Sequence, residues 1–171
     1  MWIILVFKGR LVNQNKPGIK AVFYFGIWLL FLPNAPYLVT DIFHFTKRTG
    51  CPLWFDLILV SSASWNGIIA GTLSLLQAEQ FLKRYLKYKW VQMSLLLFIT
   101  LCSYGVYLGR FPRFNSWDII TNPDDLFYYI KNSVIHPHQH LSIWVFTIIF
   151  SFLFGVIFFT IRGLNRTNDK D

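Results

Sequence analysis

Charge is what this sequence has least of. Asp, Glu, Lys and Arg make up 14% of its 171 residues, where a soluble domain carries about 25% to cover its surface. A chain so poor in charge and 54% hydrophobic is built for a second solvent, lipid. Acids are the scarcer half: 8 Asp plus Glu stand against 16 Lys plus Arg, a net charge of +8. In a soluble chain that excess would suggest nucleic acid. Here the basic residues gather between apolar blocks, where they set orientation and touch anionic lipid, and nucleic acid is not expected as a partner. Cysteine is nearly absent: Cys51 falls in a loop and Cys102 inside an apolar block, so neither a disulfide nor a metal-ligand spacing is expected. No nucleotide-binding loop, zinc-protease helix or serine-nucleophile elbow occurs, and no motif names a cofactor. The alternating histidines of His136-Pro-His138-Gln-His140 would share one side only in a rigid strand. Nothing around them builds one and no cysteine is near, so the segment reads as a solvated loop and no metal site is expected.

What the chain has in quantity is long apolar blocks. They run to about 20 residues, the length that crosses a ~30 Å hydrocarbon core at ~1.5 Å per residue. The clearest, Leu141 to Ile161, holds no charge and is closed by Arg162. Further spans are drawn from Ala21 to Val39, Leu57 to Leu76 and Trp90 to Gly109. The fold class is therefore all-α: a polytopic transmembrane helical bundle of about four spans, with a short N-terminal apolar segment and an outer interfacial helix. Lys and Arg divide unevenly among the connections. Residues 8–20 hold four, 79–89 four and the tail after 161 three, whereas residues around 47–48 hold two and 110–140 three. This eleven-to-five split alternates as four spans require, and the positive-inside rule places the richer segments and the C-terminus in the cytoplasm of a cell-membrane protein. The organisation is then 1–20, an apolar fragment and basic cytoplasmic loop; 21–161, the transmembrane bundle; and 162–171, a polar cytoplasmic tail. Met1–Phe7 is too short to span and lacks the basic flank of a signal peptide. It reads either as a short interfacial segment or, the preferred reading, as the end of a helix whose beginning is missing.

The first span is interrupted. Phe31-Leu-Pro33-Asn34-Ala-Pro36-Tyr37 puts two prolines within four residues, each removing a donor and crowding the turn before it. Asn34 is expected to cap a fresh helix, with Pro36 in its first turn. Two readings stay open: a structural kink, or a broken helix whose freed backbone groups face a cavity. Beyond the break Tyr37, Thr40, Asp41 and His44 recur at helical spacing and are expected on one face. In the second span Asp56, Ala63, Gly67, Ala70, Ser74 and Gln77 share a small and polar face, with Asn66 beside it. Gly67-Ile-Ile-Ala-Gly71 and Gly105-Val-Tyr-Leu-Gly109 both match the small-xxx-small pattern, and these faces are expected to pack against each other. Asn122-Pro123-Asp124-Asp125 reads as a helix start. The stripe of Leu126, Phe127, Ile130 and Val134 after it predicts an amphipathic helix at the outer interface.

Polar residues that are costly to bury gather on the outer side: Asn34, Tyr37, Asp41, His44, Asp56, Arg110, Arg113, Asn115 and Asp118. Near the membrane boundary such groups need pairing or hydration, so the cluster is a candidate site. Leu32-Pro-Asn-Ala-Pro-Tyr-Leu-Val-Thr-Asp41 with His44, then Trp54 and Asp56, then Gly105-Val-Tyr-Leu-Gly-Arg-Phe111 with Arg113-Phe-Asn-Ser-Trp-Asp118, resembles the bacterial membrane-protein family called "domain of unknown function 1361" over roughly residues 20–165. The resemblance implies a fold and a membrane location, and no activity. Its members look longer at the N-terminus, which agrees with a truncated start. Two functions remain in play. One is a non-enzymatic component that uses Arg110 and Arg113 to bind an anionic, lipid headgroup-like ligand or a membrane protein partner. The other is a membrane-embedded enzyme or transporter in which Asp41 and His44 exchange protons while the arginines hold an anion. A cavity reaching inward to Asn34 and Asn66 would favour the second, and a flat cluster the first.

Overall fold

The structure, a computed structural model, describes residues 19–44 and 52–168, and at residues 20, 21, 42–44 and 166–168 the backbone only. The elements in chain order are helix α1 (Ile19–Phe31), the single turn α2 (Asn34–Tyr37), a 3-10 helix (Leu38–His44), α3 (Leu53–Leu82), α4 (Tyr88–Arg110), the short α5 (Asp118–Thr121), α6 (Pro123–Ile135) and α7 (Leu141–Asn168). Four stretches are long and apolar enough to cross a membrane: Val22–Asp41, Leu53–Leu82, Tyr88–Arg110 and Leu141–Asn165. The protein is a multi-pass helical membrane protein. Met1–Phe7 and Cys51 lie outside the described residues.

Two apolar cores hold the helices together. In the first, Trp28 and Leu32 of α1 meet Leu75 of α3, Leu95 and Phe98 of α4 and Phe158 of α7. Trp28 also donates its indole N–H to Ser74 Oγ at 2.7 Å, which satisfies a polar edge that lipid could not. In the second, Tyr107 and Leu108 of α4 meet Leu126 of α6 and Ile143 of α7. The remaining flanks are covered by exposed Leu, Ile, Phe and Trp, the composition expected of a surface facing acyl chains.

The two glycine pairs do not pack on each other. A Cβ at Gly67 would collide with the carbonyl oxygen of Ala35, one at Gly105 would lie 2.7 Å from Pro33 Cγ, and one at Gly109 would lie 3.2 Å from the Tyr37 ring. Both faces receive the broken segment 33–37, which is wedged between α3 and α4. The motif signals close approach; the bulky, donor-poor proline segment is what takes the space. Ala70 and Asn66 fall on the exposed side of α3, away from this contact.

At the end of the bundle that carries Arg110, α6 begins at Pro123 with Asn122 in the capping position but making no side-chain cap bond. Leu126 is buried, whereas Phe127 and Val134 are exposed. The helix is pinned by Ser133, whose hydroxyl meets Tyr104 Oη at 2.8 Å and whose carbonyl accepts from Trp144 Nε1 at 3.1 Å.

Candidate functional site

The site begins with the interruption in the first span. Pro33 and Pro36 have no N–H to give, so α1 closes with Leu32 N–H bonded to the Trp28 carbonyl. The chain then tightens: Ala35 N–H reaches the Leu32 carbonyl at 3.2 Å, a three-residue bond, and the segment past Tyr37 continues as a 3-10 helix. Asn34 does not cap. Pro33 holds the capping position with helical φ −60° and ψ −24°, so the turn has already begun when the chain reaches Asn34, and that side chain is exposed.

The 3-10 geometry also redistributes the stripe after the break. With three residues per turn instead of 3.6, residues three apart eclipse and Asp41 is rotated away from Thr40; Thr40 is fully buried and its hydroxyl donates to the Tyr37 carbonyl at 2.6 Å. Asp41 stays 42% exposed by side chain. The His44 side chain lies outside the described residues.

Arg110 ends α4 beside this segment. Its Nη1 donates to Asp41 Oδ1 at 2.9 Å, and its guanidinium carbon lies 5.9 Å from the centre of the Tyr37 ring. The Arg110 side chain is 11% exposed, and its Nε and Nη2 are buried with no partner among the described residues. A guanidinium fork that could grip a carboxylate with two parallel bonds is thus engaged at one corner, and its positive charge is only partly offset by a half-exposed acid.

The loop after α4 turns back sharply. Arg113 sits at φ 64°, the left-handed region that non-glycine residues seldom occupy, and this lets Phe114 N–H reach the Leu108 carbonyl at 3.0 Å. The Arg113 side chain points to the exterior as an exposed residue. Asp118 is occupied locally: its Oδ2 accepts from Asn115 N–H at 2.6 Å and its Oδ1 from Thr121 Oγ1 at 3.0 Å. Asp56 lies half-buried in the first turn of α3 with no ion pair among the described residues. The structure therefore joins Tyr37, Asp41 and Arg110 and leaves Asp56, Arg113 and Asp118 outside that contact.

Next to the trio lies a cavity of about 530 Å³, within the ~300–1,000 Å³ of small-molecule sites. Asn34, Tyr37, Asn115 and Ser116 form its polar part, and Leu29, Leu101, Gly105 and Leu108 line an apolar part that continues to Gly26. Ser116 ties the rim down by donating to the Leu30 carbonyl at 3.3 Å, and the neighbouring Phe31 and Trp117 rings meet edge to face. Gly26 and Leu101 are exposed, so the apolar part opens sideways, toward where lipid lies. Asn66 does not reach it.

The opposite end holds a second polar group that the sequence alone did not single out. Arg162 of α7 donates from Nη2 to Glu79 of α3 at 2.5 Å and from Nη1 to Gln92 of α4 at 2.9 Å. Lys83 approaches the same carboxylate at 2.8 Å. Among the histidines, His140 packs on the Tyr129 ring and lies 3.2 Å from Asn132, while His136 and His138 are exposed.

A family model described as a protein of unknown function, DUF1361, matches residues 1–157. Searches of curated proteins and of solved structures return no match.

Proposed function

Since the chain belongs to the DUF1361 family, whose description carries no activity, we propose from the site itself that the protein binds an amphipathic anionic ligand, of the lipid-headgroup kind, at the outer face of the cell membrane. The observation that carries this reading is the cavity, whose wall changes from Asn34, Tyr37 and Asn115 at one end to Leu29, Leu101 and Gly26 at the other. A ligand with an acyl chain and a polar head has the same gradient. Its apolar part enters from the bilayer through the side opening, with little water to displace. Its head then meets amide, phenol and hydroxyl groups that can donate to oxygen. Two arginines bias the charge: Arg110 behind Tyr37, only partly offset by Asp41, and the exposed Arg113 one residue before the rim residue Phe114. The orientation rests on the eleven-to-five division of Lys and Arg, which puts this end outside and the C-terminus in the cytoplasm. Asp41, Arg110 and Arg113 all lie outside the cavity wall, with Asp41 tied to Arg110, so the arginines act on a bound head through their charge and Asp41 is not placed to exchange a proton with it.

The test is native mass spectrometry of the full chain released from nanodiscs with a defined mixture of phosphatidylglycerol and phosphatidylcholine. The wild type should retain one anionic lipid in preference. Leu101→Trp, which fills the apolar part, should lose the bound lipid. Arg113→Gln should keep a lipid with a weakened headgroup preference, the effect shrinking as salt is raised. Equal retention in Leu101→Trp and wild type would refute the proposal.

A further inference from the structure

Helix α3 is the longest of the four candidate spans, yet among the described residues it is the least buried of them. The window that crosses the membrane is 11% buried in α3 against 44% in α4. One face, with Ser64, Gly67, Gly71 and Leu75, packs on the broken segment and on α7. The other carries Leu59, Ser62, Asn66, Ile69 and Leu73, spaced alternately by three and four residues. That is the repeat of a helix seam facing a partner helix, and Leu59, Ser62, Asn66 and Leu73 on it are exposed.

Asn66 is the informative residue. At ~1.5 Å per residue it lies ~20 Å from the start of α3 and ~24 Å from its end, close to the bilayer midplane. Its Nδ2 donates to the Ser62 carbonyl at 2.9 Å, and its Oδ1 has no partner among the described residues. Acyl chains offer neither donor nor acceptor, so a carboxamide facing them is unfavourable until something polar covers it.

We propose that this seam is a self-association face, through which two copies of the chain pair along α3 with Asn66 at the centre. A carboxamide carries both donor and acceptor, so a second Asn66 satisfies the first. Symmetry supplies the depth: copies inserted in the same orientation are related by a two-fold axis along the membrane normal, which brings each residue opposite its own counterpart at the same height. A different membrane protein would have to bring a matching polar group to that level; a second copy has one there already. A single polar residue in an otherwise apolar seam also fixes register, because any slip leaves both amides facing hydrocarbon. The ligand cavity is formed by α1, α2, α4, α6 and the loop between α4 and α6, and α3 meets α2 through its opposite, glycine-bearing face, so pairing through the Asn66 seam leaves the cavity open.

The experiment uses the full chain in native membranes, with Cys51→Ser and Cys102→Ala removing the natural thiols. Single cysteines at 61, 62, 65, 69 and 73, each leaving Asn66 in place, are oxidised with copper phenanthroline. Disulfide-linked dimer should form most at 62 and 69, which flank Asn66 on the seam, continue at 73, and stay low at 61 and 65. No dimer at 62 or 69, or equal yields at all five positions, would overturn the proposal. In vesicles, energy transfer between labelled copies should report association about three- to tenfold weaker for Asn66→Leu, the size of one interhelical polar contact, and largely restored by Asn66→Gln. An Asn66→Leu chain that associates as tightly as the wild type would equally overturn it.

Discussion

Removing the carboxylate of Glu79 should be among the most damaging single changes in this protein. Its side chain is 3% exposed and that of Arg162 is 8% exposed, so the two charges meet where neither is hydrated. Through Arg162 the group links α3 to α7 and, by Gln92, to α4. Glu79→Leu would leave the guanidinium buried with the Gln92 carbonyl and the Phe159 ring as its remaining partners among the described residues. Stripping one partner from a buried pair costs about 3–5 kcal/mol. The bond from Lys83, whose side chain is 43% exposed, adds about 0–1 kcal/mol. For a chain of this length each kcal/mol moves Tm by about 2–4 °C, so a fall of roughly 6–20 °C is expected. The assay is thermal unfolding in detergent followed with a thiol-reactive dye on a Cys51→Ser background. Cys102, 1% exposed, then reacts only as the bundle opens. The double variant Glu79→Leu/Arg162→Leu should recover most of the loss, because both charges leave together. A fall below about 2 °C for Glu79→Leu, or a double variant as unstable as the sum of the singles, would refute the reasoning.

Two further outcomes follow from the packing and the charge pattern. Gly67→Ala, whose Cβ would collide with the Ala35 carbonyl, should lose about 1–3 kcal/mol by overpacking, while Gly155→Ala, with nothing within 4 Å of its Cβ, should melt within a degree or two of the wild type; equal behaviour would mean that segment 33–37 is not wedged against α3. In intact cells a membrane-impermeant maleimide should label a cysteine placed at Asn122 and spare one at Lys87, and labelling at position 87 would reverse the assigned orientation.

The spans were legible because lipid imposes a length on them, and a stretch such as 141–161 with no charge admits no other reading. The interruption was legible because it is local: two prolines in four residues break a helix whatever surrounds them. Partners were harder to read, because spacing shows which residues share a face and not what fills the space opposite. The glycines of α3 and α4 announced a close approach, but the occupant is the proline segment, which no pattern within either helix could specify. The stripe at Tyr37, Thr40 and Asp41 was spaced for 3.6 residues per turn. In the 3-10 turn that follows Pro36, residues three apart eclipse and Asp41 is rotated away from Thr40, yet Tyr37 and Asp41 both still reach Arg110. Glu79 was counted with the basic loop because the apolar block was ended at Leu76. Leu75, Ala78 and Leu82 continue the helical spacing past it, and that continuation was the available sign that Glu79 lies inside a packed helix.

The two ends of the bundle treat charge in opposite ways, and the difference bears on where function lies. At one end Glu79 receives Arg162 and Lys83, both acid and arginine are almost fully covered, and three spans are tied at one point. Such an arrangement is closed, and its effect is to fix the helices relative to one another. At the other end Arg110 meets an acid that is 42% exposed, holds it by a single nitrogen and stacks on a tyrosine whose far side lines a cavity. Arg113 sits there at a left-handed φ of 64°, in the turn that returns Phe114 N–H to the Leu108 carbonyl. Unpaired guanidinium nitrogens, an exposed arginine and an open cavity at one end, set on a bundle locked at the other, fit the proposed reading of a rigid support presenting a site. On that reading a ligand is held at the Arg110 end, and changes at Glu79 should act on stability before they act on binding.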